Sequence, residues 1–208
     1  MKPVFKPGLY AITAQRYPDM RRLVTEVQHA LEGGAAMIQF RDKSKDRAWR
    51  EDAAGAILEI CNGFDAPLLI NDDARLVLAT GAAGVHLGKN DMSVISAREL
   101  LGPNKLIGVS CYNSPERASQ GVADGADHLA FGSVFASASK PEAVRCELDV
   151  IRQARSSGLP VVAIGGITPD NGRAAVEAGA DALAVIGAVF DAPDVRKAAA
   201  SFSEIWES

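Results

Sequence analysis

Polar side chains able to hold anions or a metal recur in this sequence where a short apolar run gives way to a loop. In Gln39-Phe40-Arg41-Asp42-Lys43 the alternation of a strand puts Gln39, Arg41 and Lys43 on one side, and Phe40 and Asp42 on the other. Two cations and an amide converging on one point suit a multiply charged anion. The alternative is a basic edge left in water, but an arginine inside a run otherwise suited to a buried strand argues for function. Two later runs end in Asn71-Asp72-Asp73 and Gly88-Lys89-Asn90-Asp91. If these runs neighbour each other, Asp72 and Asp91 could share a magnesium ion, which takes one or two carboxylates and completes its shell with phosphate oxygens and water. Each aspartate could instead cap the following helix. Asp73 is better placed for that task than Asp72.

A second kind of site relies on backbone. Ile164-Gly165-Gly166-Ile167-Thr168-Pro169 and Val185-Ile186-Gly187-Ala188 place glycines between an apolar run and a helix start. Exposed amides there would attract a phosphate, and the loops after the last two strands of an α/β barrel are its usual phosphate site. Tight turns alone would also call for glycine. The segment from Phe135 to Pro141 brings Ser137, Ser139 and Lys140 towards the same rim, and Ser110, Cys111 and Tyr112 end another run. His86 and His29 read as structural, and no Ser/His/Asp or Cys/His nucleophile set can be assembled.

The elements that must position these residues follow from periodicity. Strands are expected at 8–13, 36–41, 67–71, 84–88, 105–110, 128–134, 160–165 and 182–189, alternating with amphipathic helices such as 20–32 and 49–61 and a last one from Pro193 onward. The phrases Gly33-Gly34-Ala35-Ala36, Gly81-Ala82-Ala83-Gly84, Gly125-Ala126-Asp127 and Gly179-Ala180-Asp181 mark repeated helix-to-strand turns. Eight such repeats predict a closed (β/α)8 TIM barrel, one domain over residues 1–208. An open doubly wound sheet is the alternative, and the early dinucleotide-binding glycine fingerprint it usually carries is missing. A net charge of -4 without a lysine and arginine block excludes bulk attraction to nucleic acid or an anionic membrane. Three scattered cysteines, no apolar leader and no run long enough to span a bilayer point to a reduced, cytoplasmic protein.

Read together, Gln39 to Lys43, Ile70-Asn71-Asp72, Gly84-Val85-His86-Leu87-Gly88 through Asp91, Gly108-Val109-Ser110, Ser137 to Lys140, Ile164-Gly165-Gly166-Ile167 and Ile186-Gly187 resemble the thiamine-phosphate synthase family, in order and over nearly the whole chain. The resemblance implies a transferase that joins an aminopyrimidine diphosphate to a thiazole phosphate, giving thiamine phosphate and diphosphate. It implies that Gln39, Phe40, Arg41, Asp42, Lys43, Asn71, Ser110 and Lys140 bind the pyrimidine diphosphate, with Arg41, Lys43 and Lys140 acting on the leaving group. Asp72 and Asp91 would hold one Mg2+ per subunit, and Ser137, Ala138, Ser139, Gly166, Ile186 and Gly187 would receive the thiazole phosphate. The chain departs from the family in lacking loop prolines and threonines around Ala136, Ser137 and Ser139, and in Gly187, where serine is common. The rival readings are a thiazole tautomerase-like isomerase, which would use a histidine where Tyr112 stands, a sugar-phosphate isomerase or epimerase, and a non-catalytic binder of thiamine precursors. The expected partners are small molecules alone, and oligomeric state is left open.

Overall fold

The computed structural model describes residues 3–136 and 144–206. Its strands are β1 (Gly8–Ile12), β2 (Met37–Phe40), β3 (Leu68–Asn71), β4 (Gly84–Leu87), β5 (Leu106–Tyr112), β6 (His128–Phe131), β7 (Val161–Ile164) and β8 (Ala182–Val185). The helices are α1 (Met20–Glu32), α2 (Arg47–Gly63), α3 (Ala74–Thr80), α4 (Val94–Leu101), α5 (Pro115–Ala123), α6 (Leu148–Ala154), α7 (Pro169–Glu177), α8 (Gly187–Phe190) and α9 (Val195–Ser203). Every strand pairs in parallel with the next, and β1 closes on β8 with Leu9 opposite Leu183, so the sheet is a closed barrel and not an open one.

Side-chain alternation sorts the strand residues into two layers. Tyr10, Ile12, Met37, Leu69, Leu106, Ala130, Val162, Ala182 and Ala184 fill the inside of the barrel. Their neighbours Leu9, Ala11, Ile38, Phe40, Ile70, Val85, Ile107 and Leu183 face outward into one continuous layer with Leu23, Val27, Ala53 and Ile57 of the helices. Both faces of each strand are therefore buried, which accounts for unbroken apolar runs where a half-exposed sheet would alternate.

The repeated turn phrase has a structural purpose beyond its glycine. Gly81 takes a left-handed φ of 84° and donates its N–H to Val77 O at 2.9 Å, closing α3 where a side chain would be strained. In the two copies that end in aspartate, Asp127 Oδ2 accepts from Ile107 N and Asp181 Oδ2 accepts from Val161 N, both at 2.8 Å. Each carboxylate thus fixes the entry of the preceding strand, at the end of the barrel opposite the site.

The expected eighth strand is corrected at its end. The chain leaves β8 at Val185, turns at Ile186 (φ −110°, ψ −87°) and forms a helical turn over Gly187–Phe190. A short apolar run such as Val185 to Val189 does not distinguish strand from helix by pattern. β6 likewise stops at Phe131, and β5 runs on to Tyr112 with a register irregularity between Ser110 and Tyr112. No helix among the described residues is long and apolar enough to cross a membrane.

Candidate active site

The carboxyl ends of β1 and β2 carry the first cluster. Thr13 Oγ1 accepts from Arg41 N at 2.9 Å, and Lys43 N donates to Gln15 O at 3.4 Å, so the segment after β1 clasps the segment after β2. With its amide turned so that oxygen faces the guanidinium, Gln15 accepts from Arg41 Nη1 and Nη2 at 2.7 and 2.8 Å. Arg41 is half-buried, and burial lowers its pKa against the opposing field of Asp72. Gln39 points into the barrel and donates to Tyr10 Oη at 2.8 Å. Phe40 and Asp42, grouped with the binding residues through the resemblance, have side chains that face away from the mouth. The Phe40 ring is buried in the outer layer, and the Asp42 carboxylate accepts from Ser44 N (2.6 Å) and Trp49 Nε1 (3.1 Å). Strand alternation sends them there, and their effect on the site is to brace the loop that carries Arg41 and Lys43.

A cleft of about 480 Å3 opens beside this loop, bordered by Lys43, Arg50, Asn71, Asp72 and Asp91. Asp73 is the N-cap of α3, accepting from Arg75 N and Leu76 N at 3.0 Å, which leaves Asp72 free of that task. Asp72 sits at φ 66°, an uncommon conformation for aspartate that turns its carboxylate into the cleft, where Lys43 donates to it. Asp91 Oδ2 accepts from Gly88 N at 2.7 Å. The two carboxyls border the same cleft and influence each other's ionisation. Burial opposes ionisation of Asp72, yet the Lys43 ammonium and the interaction with the Asp91 carboxyl bring its pKa below the usual carboxylate range. Asp91 is raised, first by burial and then by the charge of Asp72, against the Gly88 amide. Two facing carboxyls that cannot comfortably ionise together call for a cation between them. No third aspartate, glutamate, histidine or cysteine joins them among the described residues. A donor set of two carboxylates fits magnesium, which leaves its other positions to phosphate and water, and does not fit a fully caged metal.

The opposite side of the mouth is built from backbone. Gly165 and Gly166 have φ of 102° and 65°, and a Cβ on Gly166 would meet the Phe135 carbonyl oxygen at 2.6 Å, so the chain after β6 rests directly on this turn. Val134 N and Phe135 N donate to Ile164 O and Gly165 O, both at 3.0 Å. Asn171 locks the following loop, donating to Gly166 O (3.0 Å) and accepting from Thr168 N (2.8 Å). The first amides of α8, those of Gly187 and Ala188, have no carbonyl within their own helix to meet. The Asp191 carboxylate stands close by, 2.6 Å from where a Cβ on Gly187 would lie. Ser137, Ala138, Ser139 and Lys140 lie outside the described residues.

Between the two halves, Ser110 Oγ lies 2.9 Å from His86 Nε2, and its carbonyl accepts two bonds from Arg117 at 3.2 and 3.3 Å. Tyr112 has φ 57°, lies under the Arg117 guanidinium at 5.5 Å, and accepts from Lys89 N at 3.2 Å, steadying the loop that carries Asp91. Thr13, Gln15, Trp49 and this use of Tyr112 escaped the sequence reading. Thr13 and Gln15 carried the same signal as Arg41, polar residues just past an apolar run, at a strand end where it was not followed.

A family model described as "Thiamine monophosphate synthase" matches residues 9–189. A thiamine-phosphate synthase of Thiobacillus denitrificans is 48% identical over 97% of this chain and 96% of its own length. One from Nitrosococcus oceani is 47% identical over 97% of this chain and 93% of its own. Among solved structures, a thiamine phosphate pyrophosphorylase from Pyrococcus furiosus superposes with a TM-score of 0.87 at 38% identity, over 96% of this chain and 95% of that one.

Proposed function

The chain belongs to the thiamine monophosphate synthase family, and on that premise we propose that it transfers an aminopyrimidine-methyl group from diphosphate to the nitrogen of a thiazole phosphate, making thiamine phosphate. The observation that carries this reading is the two-part mouth: charged side chains between β2 and β4, and glycine-rich backbone after β7 and β8. Two different anions can then be held with the reacting atoms between them.

In the reaction, the bond between the methylene carbon and the diphosphate oxygen breaks and its electron pair leaves with diphosphate. The electron-rich aminopyrimidine stabilises the cation left at that carbon, and the thiazole nitrogen closes the new C–N bond with its own lone pair. No protein base is required for that closure. Arg41 and Lys43 face the charge that grows on the departing diphosphate, and Lys140 is assigned the same task. Gln15 and Thr13 hold Arg41 in place, so little reorganisation is needed as that charge develops. Asp72 and Asp91 would hold magnesium, which would supply further positive charge to the leaving group. Gln39, Asn71 and Ser110 contact the pyrimidine diphosphate, while Phe40 and Asp42 brace the loop beneath it. Gly166, Ile186 and Gly187, with Ser137, Ala138 and Ser139, receive the thiazole phosphate through amides and hydroxyls. One barrel is the whole catalytic domain. Its three free, buried cysteines suit a reducing compartment, and we place it in the cytoplasm.

An isomerase on the same barrel and a non-catalytic binder find no support among the relatives, which bear the synthase name. Mixing the purified protein with both substrates, with and without magnesium, tests the proposal. Thiamine phosphate and diphosphate should form in equal amounts and only when both substrates are present. Absence of product, or formation undiminished after chelation of magnesium, would overturn the reaction or the metal respectively.

A further inference from the structure

The reaction as described gives Tyr112 no part, yet its placement is unusual on three counts. β5 runs on past Ser110 to Tyr112, and its register with β6 shifts between those two residues. Such an irregularity bends a strand and re-aims the side chain that follows. Tyr112 also sits at φ 57°, a region that a bulky residue occupies only where its surroundings impose it. Finally, the residue is 45% exposed, so burial in the core does not account for its position. Polar contacts hold it instead. Its carbonyl accepts from Gly132 N at 2.8 Å, and its ring lies under the Arg117 guanidinium, which is itself tied back to the Ser110 carbonyl.

The consequence falls on the end of β4. The Tyr112 phenol oxygen accepts from Lys89 N at 3.2 Å. One residue earlier, Gly88 N donates to Asp91 Oδ2 at 2.7 Å. A Cβ on Gly88 would lie 3.0 Å from Asp91 Oδ2 and 3.6 Å from Tyr112 Oη, so carboxylate and phenol pack over the same glycine. Two successive amides are thus pinned by two side chains, one from within the turn and one from the neighbouring strand. Glycine by itself restrains the chain least of all residues, so an anchor from outside gives this turn its form. With Asp91 Oδ2 occupied by the Gly88 amide, Oδ1 is the oxygen left for a cation.

We infer that Tyr112 is a positioning residue for the divalent cation: by fixing the Lys89 amide it holds the turn from Gly88 to Asp91 in the form that presents Asp91 to the metal. Groups that orient a metal ligand set the affinity of the site. Acting through Asp91, Tyr112 should govern how tightly the cation is held and not the chemistry that follows. The inference rests on the proposed role of Asp91 as a metal ligand.

Tyr112→Phe removes the phenol oxygen alone and keeps a ring for Arg117 to cover. Mn2+ is the probe, its uptake by the substrate-free protein followed through loss of the free-ion EPR signal. The Mn2+ dissociation constant should rise about three- to tenfold in Tyr112→Phe, the effect of one neutral hydrogen bond. In turnover, the magnesium concentration for half-maximal rate should rise by the same factor, while kcat at saturating magnesium and KM for the thiazole phosphate stay unchanged. If the unaltered protein takes up no more Mn2+ than Asp91→Asn, the metal reading and this inference fall together. If Asp91→Asn loses Mn2+ while Tyr112→Phe binds it as the unaltered protein does, the metal reading stands and the role of Tyr112 is overturned. A fall in kcat that added magnesium does not restore would overturn it as well, by placing Tyr112 in the chemistry.

Discussion

From β2 to β4 the barrel mouth is furnished by side chains: Arg41 held by Gln15, Lys43 on Asp72, and Asp72 facing Asp91. From β7 to β8 it is furnished by backbone, with Gly166 at positive φ under the Phe135 carbonyl and the opening amides of α8 beside it. Both halves suit anions, but they store their affinity differently. Side-chain charges provide large, tunable fields that can act on a leaving group whose charge grows. Fixed amides provide shape and a constant dipole, suited to a phosphate that is held and does not react. A substitution on the first side removes a charge, whereas one on the second adds bulk or charge where none was. The two halves should therefore fail in different ways.

The largest effect is expected at the carboxylates. Asp72→Asn or Asp91→Asn should lower kcat at saturating substrates by on the order of a hundredfold or more, as expected for loss of a group that supports transition-state charge. Thermal unfolding should stay close to that of the unaltered protein, since neither residue caps a helix; activity retained at limiting magnesium would end the metal assignment. Next comes Arg41→Ala. Losing a charge-assisted contact costs about 1.5–3 kcal/mol, roughly ten- to a hundredfold in KM for the pyrimidine diphosphate. The thiazole phosphate KM should not move, and equal shifts for both substrates would collapse the two halves into one.

Gly187→Asp probes the backbone half. It sets a second carboxylate against the phosphate and beside Asp191, and should raise the thiazole phosphate KM about tenfold, with pyrimidine diphosphate unaffected. Titration showing normal phosphate binding would move that site elsewhere. Gly187→Ser should change the same constant less than about threefold. The Asp191 carboxylate must swing aside to admit the new Cβ, which a flexible side-chain end does at small cost.

Acid should locate another difference, since His86 on β4 and His128 on β6 are buried imidazoles near the charged side and between the halves, while Val162, Ala182 and Ala184 fill the interior under the backbone half. His86 is held at about 4 by burial, against about 6.5 in an unfolded chain, so the unfolded state binds the extra proton between those values. Stability is then complete above pH 6.5 and falls as pH drops towards 4, by at most about 1.4 kcal/mol per pH unit per histidine. His128→Phe should flatten that slope in denaturant titrations, and an unchanged slope would mean the interior is not dry.

Much of this could be read along the chain because it depends on local pattern. The repeated turn glycines, the apolar runs buried on both faces and the polar residues that follow them require only neighbours in sequence, so the barrel and most rim residues were legible. Asp73 as the cap and Asp72 as the spare carboxylate were likewise local matters, since a cap bonds to amides two or three residues on. The end of β8 was misread because four apolar or small residues satisfy strand and helix equally.

What the sequence alone determined, then, is the periodic scaffold and the inventory of charge and glycine at its strand ends. Closure of the barrel decided the rest. It brought Gln15 onto Arg41 from another strand, set Asp72 beside Asp91, and turned His86 and His128 towards each other across a glycine. Each of these contacts joins residues on different strands, where distance is fixed by shear and register around the barrel and not by separation along the chain.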